Sequence, residues 1–344
     1  MLIENRISTE NLAVAKWLLT CCVMVFFMVI LGGVTRLTGS GLSMVDWRPI
    51  MGAIPPITVE DWQITFGMYQ QSPEFLVKNF SMDVNDFKQI FWLEYLHRLL
   101  GRLIGIVFFF PFVFFFIKGY IKKNEFPKYF LMLILGGMQG VLGWYMVKSG
   151  LVDNPAVSQY RLTAHLSSAF LIYSFMFWVA LTLLYPAKNT PNNWSTKTNA
   201  LTFLIIITIV SGGFVAGLKA GKIYNTYPMM GDYWIPPSIF ALKPTWINFF
   251  ENIVTVQLSH RILTFISFVS IIVYWLKVRK LELPKRIGRA VNALMHTAVL
   301  QFILGISTLL LFVPTMLAAA HQATAMILLT VSLYLCHAFS RGAS

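Results

Sequence analysis

Apolar residues dominate this chain in long unbroken runs rather than in the period of an amphipathic helix or the alternation of a half-buried strand, and the polar residues collect between those runs. A segment that crosses a bilayer needs about 20 apolar residues. Eight stretches satisfy this, approximately 15–35, 91–117, 128–148, 161–185, 199–219, 256–277, 290–311 and 315–339, the last two joined around Pro314. The pattern predicts an all-α integral membrane protein. Segments after the even-numbered spans carry Lys118, Lys122, Lys123 and Lys128, then Lys188 and Lys197, then Lys277, Arg279, Lys280, Lys285, Arg286 and Arg289. Basic residues favour the cytoplasmic side, which predicts that these segments and both termini are cytoplasmic. The opposite segments, 36–90 and 220–255, form long outer loops 1 and 5 rich in Trp47, Trp62, Tyr224, Tyr227, Trp234 and Trp246. They read equally as an interfacial aromatic belt or as lids over a site.

An internal repeat refines the architecture. Gly32-Gly33 opens a segment through Leu37, Gly41, Pro49, Met51, Gly52 and Pro55-Pro56; Gly212-Gly213 opens one through Leu218, Gly221, Pro228, Met230, Gly231 and Pro236-Pro237. His97-Arg98 then matches His260-Arg261, Gln139 with Gly143 matches Gln301 with Gly305, and Ala164-His165 matches Ala320-His321. Each unit holds an even number of spans, so the units share one orientation. The prediction is two tandem, parallel-repeat four-helix bundles, residues 1–190 and 191–344.

Composition narrows the class. Of 344 residues 57% are hydrophobic and 12% charged, outside the range of soluble domains. A net charge of +13 would suggest nucleic acid in a soluble chain, but its distribution between the spans argues against that partner. Cys21, Cys22 and Cys336 lie inside apolar runs, with no CxxCH or CxxC, and read as small fillers. The acidic residues Glu4 and Glu10 beside a lone Arg6 do not resemble an organelle transit peptide.

The candidate chemistry begins at Glu94-Tyr-Leu-His97-Arg98-Leu-Leu-Gly101-Arg102, where a carboxylate, an imidazole and two guanidinium groups open an apolar span. Ionisable groups at membrane depth are costly and need partners. Glu94 and His97 share one helix side by their spacing. The repeat puts His97, His165, His260 and His321 in equivalent places, each near the outer start of its span, at a shared depth of roughly 7–10 Å for a rise of 1.5 Å per residue. His296 and His337 fall outside the repeat and read as structural. A zinc site wants three or four protein ligands, and a proton relay a chain of groups; paired imidazoles suit a haem iron held without covalent attachment. Arg98, Arg102 and Arg261 are candidate partners for haem propionates, with snorkelling to headgroups the alternative for each. The units differ: Glu94 corresponds to Gln257 and Arg102 to Phe265. A carboxylate in low dielectric can take a proton or stabilise positive charge where glutamine cannot, so the first half is expected to work on its porphyrin and the second to hold one as redox cofactor.

The run Gly32-Gly33-Val-Thr35-Arg36-Leu37-Thr38-Gly39-Ser40-Gly41-Leu42-Ser43, the block from Glu94 to Arg102, Ala164-His165-Leu, Ser259-His260-Arg261 and Ala320-His321-Gln322 together resemble the haem A synthase family of bacteria and mitochondria, over nearly the whole chain. The resemblance implies oxidation of the C8 methyl group of haem O to a formyl group by successive hydroxylations, giving haem A for terminal oxidases. Carried over by position, His97 and His165 would bracket substrate haem O, His260 and His321 would ligate a resident haem B, and Glu94 would be the catalytic carboxylate. Residues 36–90 contain no cysteine, which resembles the branch without the outer-loop cysteine pair and leaves a thiol relay without its residues. The implied location is the bacterial inner membrane, with the haem sites toward the outer face. The implied partners are haem O, the membrane farnesyltransferase that makes it, surrounding lipid and, as an open alternative, further copies of the chain. Two rivals remain at this level: a di-haem electron carrier without chemistry on the porphyrin, and a transporter, which parallel repeats also permit.

Overall fold

The computed structural model describes residues 7–45, 54–150, 157–186 and 193–341. Glu4, Arg6, Trp47, Pro49, Met51, Gly52, Lys188 and the expected boundary at 190/191 lie outside the described residues. Among those described, every expected span is a helix: α1 (Thr9–Leu37), α3 (Val84–Ile117), α4 (Phe126–Gly150), α5 (Gln159–Leu184), α6 (Asn193–Gly217), α8 (Ile253–Val278), α9 (Lys285–Leu310) and α10 (Thr315–Ser340). Two further helices, α2 (Val59–Gln70) and the short α7 (Asn248–Glu251), lie between spans, and no strand is present among the described residues beyond a bridge of Met230 with Tyr233. The chain is a multi-pass membrane protein.

Helices α1, α3 and α8 start earlier than apolarity alone predicts because polar caps set their ends. α3 begins about two turns before Phe91: the Asp83 carboxylate accepts from the Asn85 and Asp86 N–H groups, and Asp86 accepts in return from the Asp83 N–H. Ser8 and Asn252 cap α1 and α8 in the same way. Within α3, Pro111 has no N–H to give to the Val107 carbonyl. The indole of Trp17 on α1 donates to that oxygen at 2.8 Å, so a backbone group that lipid could not satisfy is satisfied by a neighbouring helix.

Helix α1 packs against α3, α5 and α10; α6 packs against α8, α10 and α5; α4 bridges α3 and α5, and α9 bridges α8 and α10. Two apolar cores result. Trp17, Leu18, Phe108, Tyr129, Met132, Tyr173 and Met176 centre one, and Leu201, Ile205, Ile271, Val291, Leu294 and Phe339 the other. Close approach of α5 to α6 depends on missing side chains, as membrane packing commonly does: a Cβ on Gly217 would lie 2.5 Å from the Gln159 Cα.

The described parts of the outer segments are folded rather than open loops. In the first, Trp62, Phe66 and Tyr69 of α2 pack with Phe75, Phe87, Phe91 and Tyr95 into a small aromatic core, so the belt reading does not hold for Trp62, which is buried. The second is built on polar scaffolding. The fully buried Asn248 donates to the Leu242 and Thr245 carbonyls at 2.8 and 2.9 Å, and Asn252 donates to the Ser238 carbonyl at 2.8 Å. Its Trp234 and Trp246 are exposed.

Candidate functional site

Each repeat-equivalent histidine is seated on a glycine of an adjacent span. His97 of α3 lies against Gly32 of α1, His165 of α5 against Gly143 of α4, His260 of α8 against Gly212 of α6, and His321 of α10 against Gly305 of α9. A Cβ on these glycines would stand 2.8, 3.2, 3.2 and 2.9 Å from the Cε1 atom of the ring in question. The glycines are needed for the space they leave. The sequence marked them as repeat positions but did not reveal that each receives an imidazole, because their partner lies on another helix.

His97 and His165 stand on α3 and α5, which α1 and α4 both touch, and His260 and His321 on α8 and α10, which α6 and α9 both touch. The Nδ1 atoms of His97, His165 and His321 are buried with no hydrogen-bond partner among the described residues, whereas His260 Nδ1 lies 2.7 Å from Ser211 Oγ. An orphaned buried polar atom costs about 1–3 kcal/mol, so these three rings are held by packing where His260 is held by a hydrogen bond. Among the described residues no three His, Cys, Asp or Glu gather to hold a bare metal ion. Imidazoles carried in pairs on neighbouring spans, each seated on a glycine and without further protein metal ligands among the described residues, fit a haem held without covalent attachment.

Glu94 is buried, and both of its oxygens are occupied. Oε2 accepts from Ser43 Oγ at 2.7 Å and from the Met44 N–H at 2.8 Å; Oε1 accepts from Arg98 Nε at 3.1 Å and from Arg98 Nη2. Arg98 Nη2 also donates to the Met44 carbonyl at 3.0 Å. The carboxylate and guanidinium therefore clamp the chain that leaves α1, one turn of helix from His97. Ser43 closes the motif that opens at Gly32, but that it and Met44 would meet Glu94 was not legible, since they lie far from it in sequence.

The second half repeats the clamp with different chemistry. Gln257 Nε2 donates to the Tyr224 carbonyl at 3.0 Å, and its Oε1 is buried without a partner among the described residues. Arg261 donates to the carbonyls of Tyr224 and Met229 at 2.8 and 3.1 Å. Arg98 and Arg261 thus spend donors on the outer segments; Arg102 is half-buried one turn deeper on α3, and Phe265 in the matching place is exposed. Behind the other histidines, Gln139 donates to the His165 carbonyl at 2.7 Å and accepts from Ser168 Oγ at 2.6 Å, while Gln301 Nε2 donates toward His321 Nε2 at 3.4 Å.

Of the remaining candidates, His337 is buried edge-on to Trp178 and meets Thr182 Oγ1 at 3.3 Å, and His296 is exposed on α9. The three cysteines are free and buried, with Cys336 Sγ 3.0 Å from Thr202 Oγ1, as packing fillers would be.

Comparison with known proteins agrees in extent as well as in kind. Residues 15–333 match the COX15-CtaA family, described as cytochrome oxidase assembly protein. The protein called Heme A synthase in Nitrosospira multiformis is 48% identical over 333 residues, covering 95% of this chain and 94% of that one. The one of that name in Nitrosomonas eutropha is 47% identical over 344 residues, covering 98% and 97%. Human Heme A synthase COX15 is 44% identical over 339 residues, covering 95% of this chain and 83% of the human one. With a match this long and relatives this similar across the histidine-bearing spans, the chain belongs to the COX15-CtaA family of cytochrome oxidase assembly proteins.

Proposed function

We propose that this chain is a haem A synthase, an oxidoreductase that converts the C8 methyl group of haem O to a formyl group by successive hydroxylations. Relatives bearing that name along nearly the whole chain support the activity. The observation that carries the assignment of roles is the contrast between Glu94 and Gln257 in matching positions beside matching histidines. Residues 1–190 form the bundle that takes substrate haem O between His97 and His165, and residues 191–344 the bundle that keeps haem B between His260 and His321. Exchange of partners supports the division: the neighbours of α1, namely α3, α5 and α10, correspond in order to the neighbours α8, α10 and α5 of α6.

Haem B, when bound, supplies one-electron redox chemistry. The chain's own residues do the rest. His97 and His165 orient the substrate, and their glycine seats let the two rings lie close to the helix backbones. Glu94 holds or takes a proton at the reacting edge, its charge balanced by Arg98 and its position fixed by Ser43 and Met44. The aromatic core of the first outer segment keeps water from that edge. Arg98, Arg102 and Arg261 are the candidate propionate partners, with Arg98 and Arg261 also tying down the outer segments. The basic inner segments support a bacterial inner-membrane location with both termini cytoplasmic and the histidines toward the outer face. The membrane farnesyltransferase that makes haem O is the partner this chemistry calls for, and homo-oligomers are compatible with it.

Mass analysis of porphyrins retained by the purified protein tests the reading. Haem O or its hydroxylated forms together with haem B are expected. His97→Ala should remove the first and spare the second, and His260→Ala the reverse. Haem B alone, in equal amounts at both sites, would identify an electron carrier instead.

A further inference from the structure

The histidines of α3 and α8 are held differently, and the difference lies in one hydroxyl. His260 Nδ1 lies 2.7 Å from Ser211 Oγ, and Ser211 Oγ also donates to the Thr208 carbonyl of its own helix at 2.7 Å. A serine hydroxyl has a single proton to give. When that proton goes to Thr208, Ser211 accepts from His260 and the proton of the imidazole sits on Nδ1. Nε2 is then left with its lone pair, the state that an iron ligand requires. Ser211 immediately precedes Gly212, the seat of His260. The residue immediately preceding Gly32, the seat of His97, is Leu31. Leucine has no polar side-chain atom, and His97 Nδ1 is accordingly buried without a hydrogen-bond partner among the described residues.

We propose that Ser211 is the positioning residue of the second haem site. It fixes the tautomer and orientation of His260 and, by accepting from Nδ1, makes the ring a stronger donor to iron. The inference rests on the reading of His260 as a ligand of resident haem B. Its consequence is a division between a pinned ligand and a free one. The second site holds its haem permanently and at a lower potential than an unbonded imidazole would give. At the first site Leu31 leaves His97 unpinned, as suits a haem that arrives as substrate and leaves as product.

The test uses the full-length protein in detergent or nanodiscs, with Ser211→Val and the isosteric Ser211→Thr, which differ only in the hydroxyl. Spectroelectrochemical titration gives the potential of haem B, and transfer to apomyoglobin gives its rate of loss. Ser211→Val is expected to raise the potential and to speed haem loss by about 10- to 100-fold, and Ser211→Thr to keep both near the parental values. Equal potentials and equal loss rates in the two variants overturn the proposal, because a purely packing role would not distinguish them. The reciprocal Leu31→Ser, which leaves the second half untouched, is expected to slow loss of added haem from the first site, and an unchanged rate there also counts against the proposal. His260→Ala separates the two levels of failure. Loss of the haem B spectrum upholds His260 as the ligand whatever Ser211 does, whereas a full spectrum removes that ligand and the inference with it.

Discussion

Glu94 and Gln257 stand in matching positions, three residues before matching histidines, yet they make opposite hydrogen bonds to the outer segments. Glu94 accepts from the N–H of Met44, and Gln257 donates to the carbonyl of Tyr224. In both halves the arginine after the histidine donates to the carbonyl of that same residue, Met44 or Tyr224. The clamp is therefore common to both halves, and a carboxylate stands in one where the other has an amide. A buried acid needs donors and a counter-charge; Ser43 and Arg98 provide them, and the second half provides neither to Gln257.

That comparison can be broken most severely by making the halves alike. Glu94→Gln keeps the size of the side chain but removes the ionisable group, and a loss of about 10²–10⁴-fold in haem A formation is expected, the magnitude typical of a removed acid–base group. Haem absorption should persist, since the histidines are untouched. Parental haem A output from this variant, measured by pigment extraction and chromatography, would leave the difference between the halves without chemical meaning.

A smaller effect is expected from crowding the glycine seats, graded by their tightness. Gly32→Ala and Gly305→Ala bring a Cβ within 3.0 Å of His97 and His321, whereas Gly143→Ala and Gly212→Ala leave 3.2 Å at His165 and His260. The first two variants should lose more bound haem per protein than the last two, and Gly32→Ala should lose substrate haem selectively. Equal haem content in all four would mean that the rings can shift freely and that the seats do not define the sites.

The outer segments offer the mildest test. The first encloses Glu74, whose Oε2 accepts from the Tyr69 hydroxyl at 3.3 Å while Asn79 donates to that hydroxyl at 2.7 Å. Burial pushes the Glu74 carboxyl up to about 7 against the opposing pull of Lys78 and Lys219. The folded state then binds a proton between pH 4.5 and about 7 that the unfolded chain has released, so stability falls as pH rises through this window. Glu74→Gln should flatten that dependence and raise the thermal midpoint above pH 7. The second segment relies on Asn248 and Asn252, and Asn248→Ala should destabilise it equally at pH 5 and pH 8. A Glu74→Gln midpoint that tracks the parent across pH would remove the acid from the stability of the first segment.

The spans were legible because burial in lipid imposes length and apolarity on each of them separately, and their ends were not, because a cap such as Asp83 is a local hydrogen-bond pattern outside the apolar run. The equivalent placing of the four histidines was legible in the repeated sequence blocks, which keep one order along the chain. The seats were only half so: Gly143 and Gly305 stand out in register, but the ring that fills each one comes from another helix. Trp62 reads equally as a belt residue or as part of a lid until Phe87 and Phe91 are brought beside it.

By itself the sequence determined the membrane class, the order of the spans and the identity of the four imidazoles and the lone carboxylate, because these depend on residue type and spacing along one helix. Only the tertiary structure decided which groups satisfy them: Ser43, Met44 and Arg98 around Glu94, Ser211 at His260 and, among the described residues, no such partner at His97 Nδ1. The physical reason is that a hydrogen bond in a low-dielectric interior is fixed by the atom standing about 3 Å away, and that atom belongs to whichever helix the packing brings alongside.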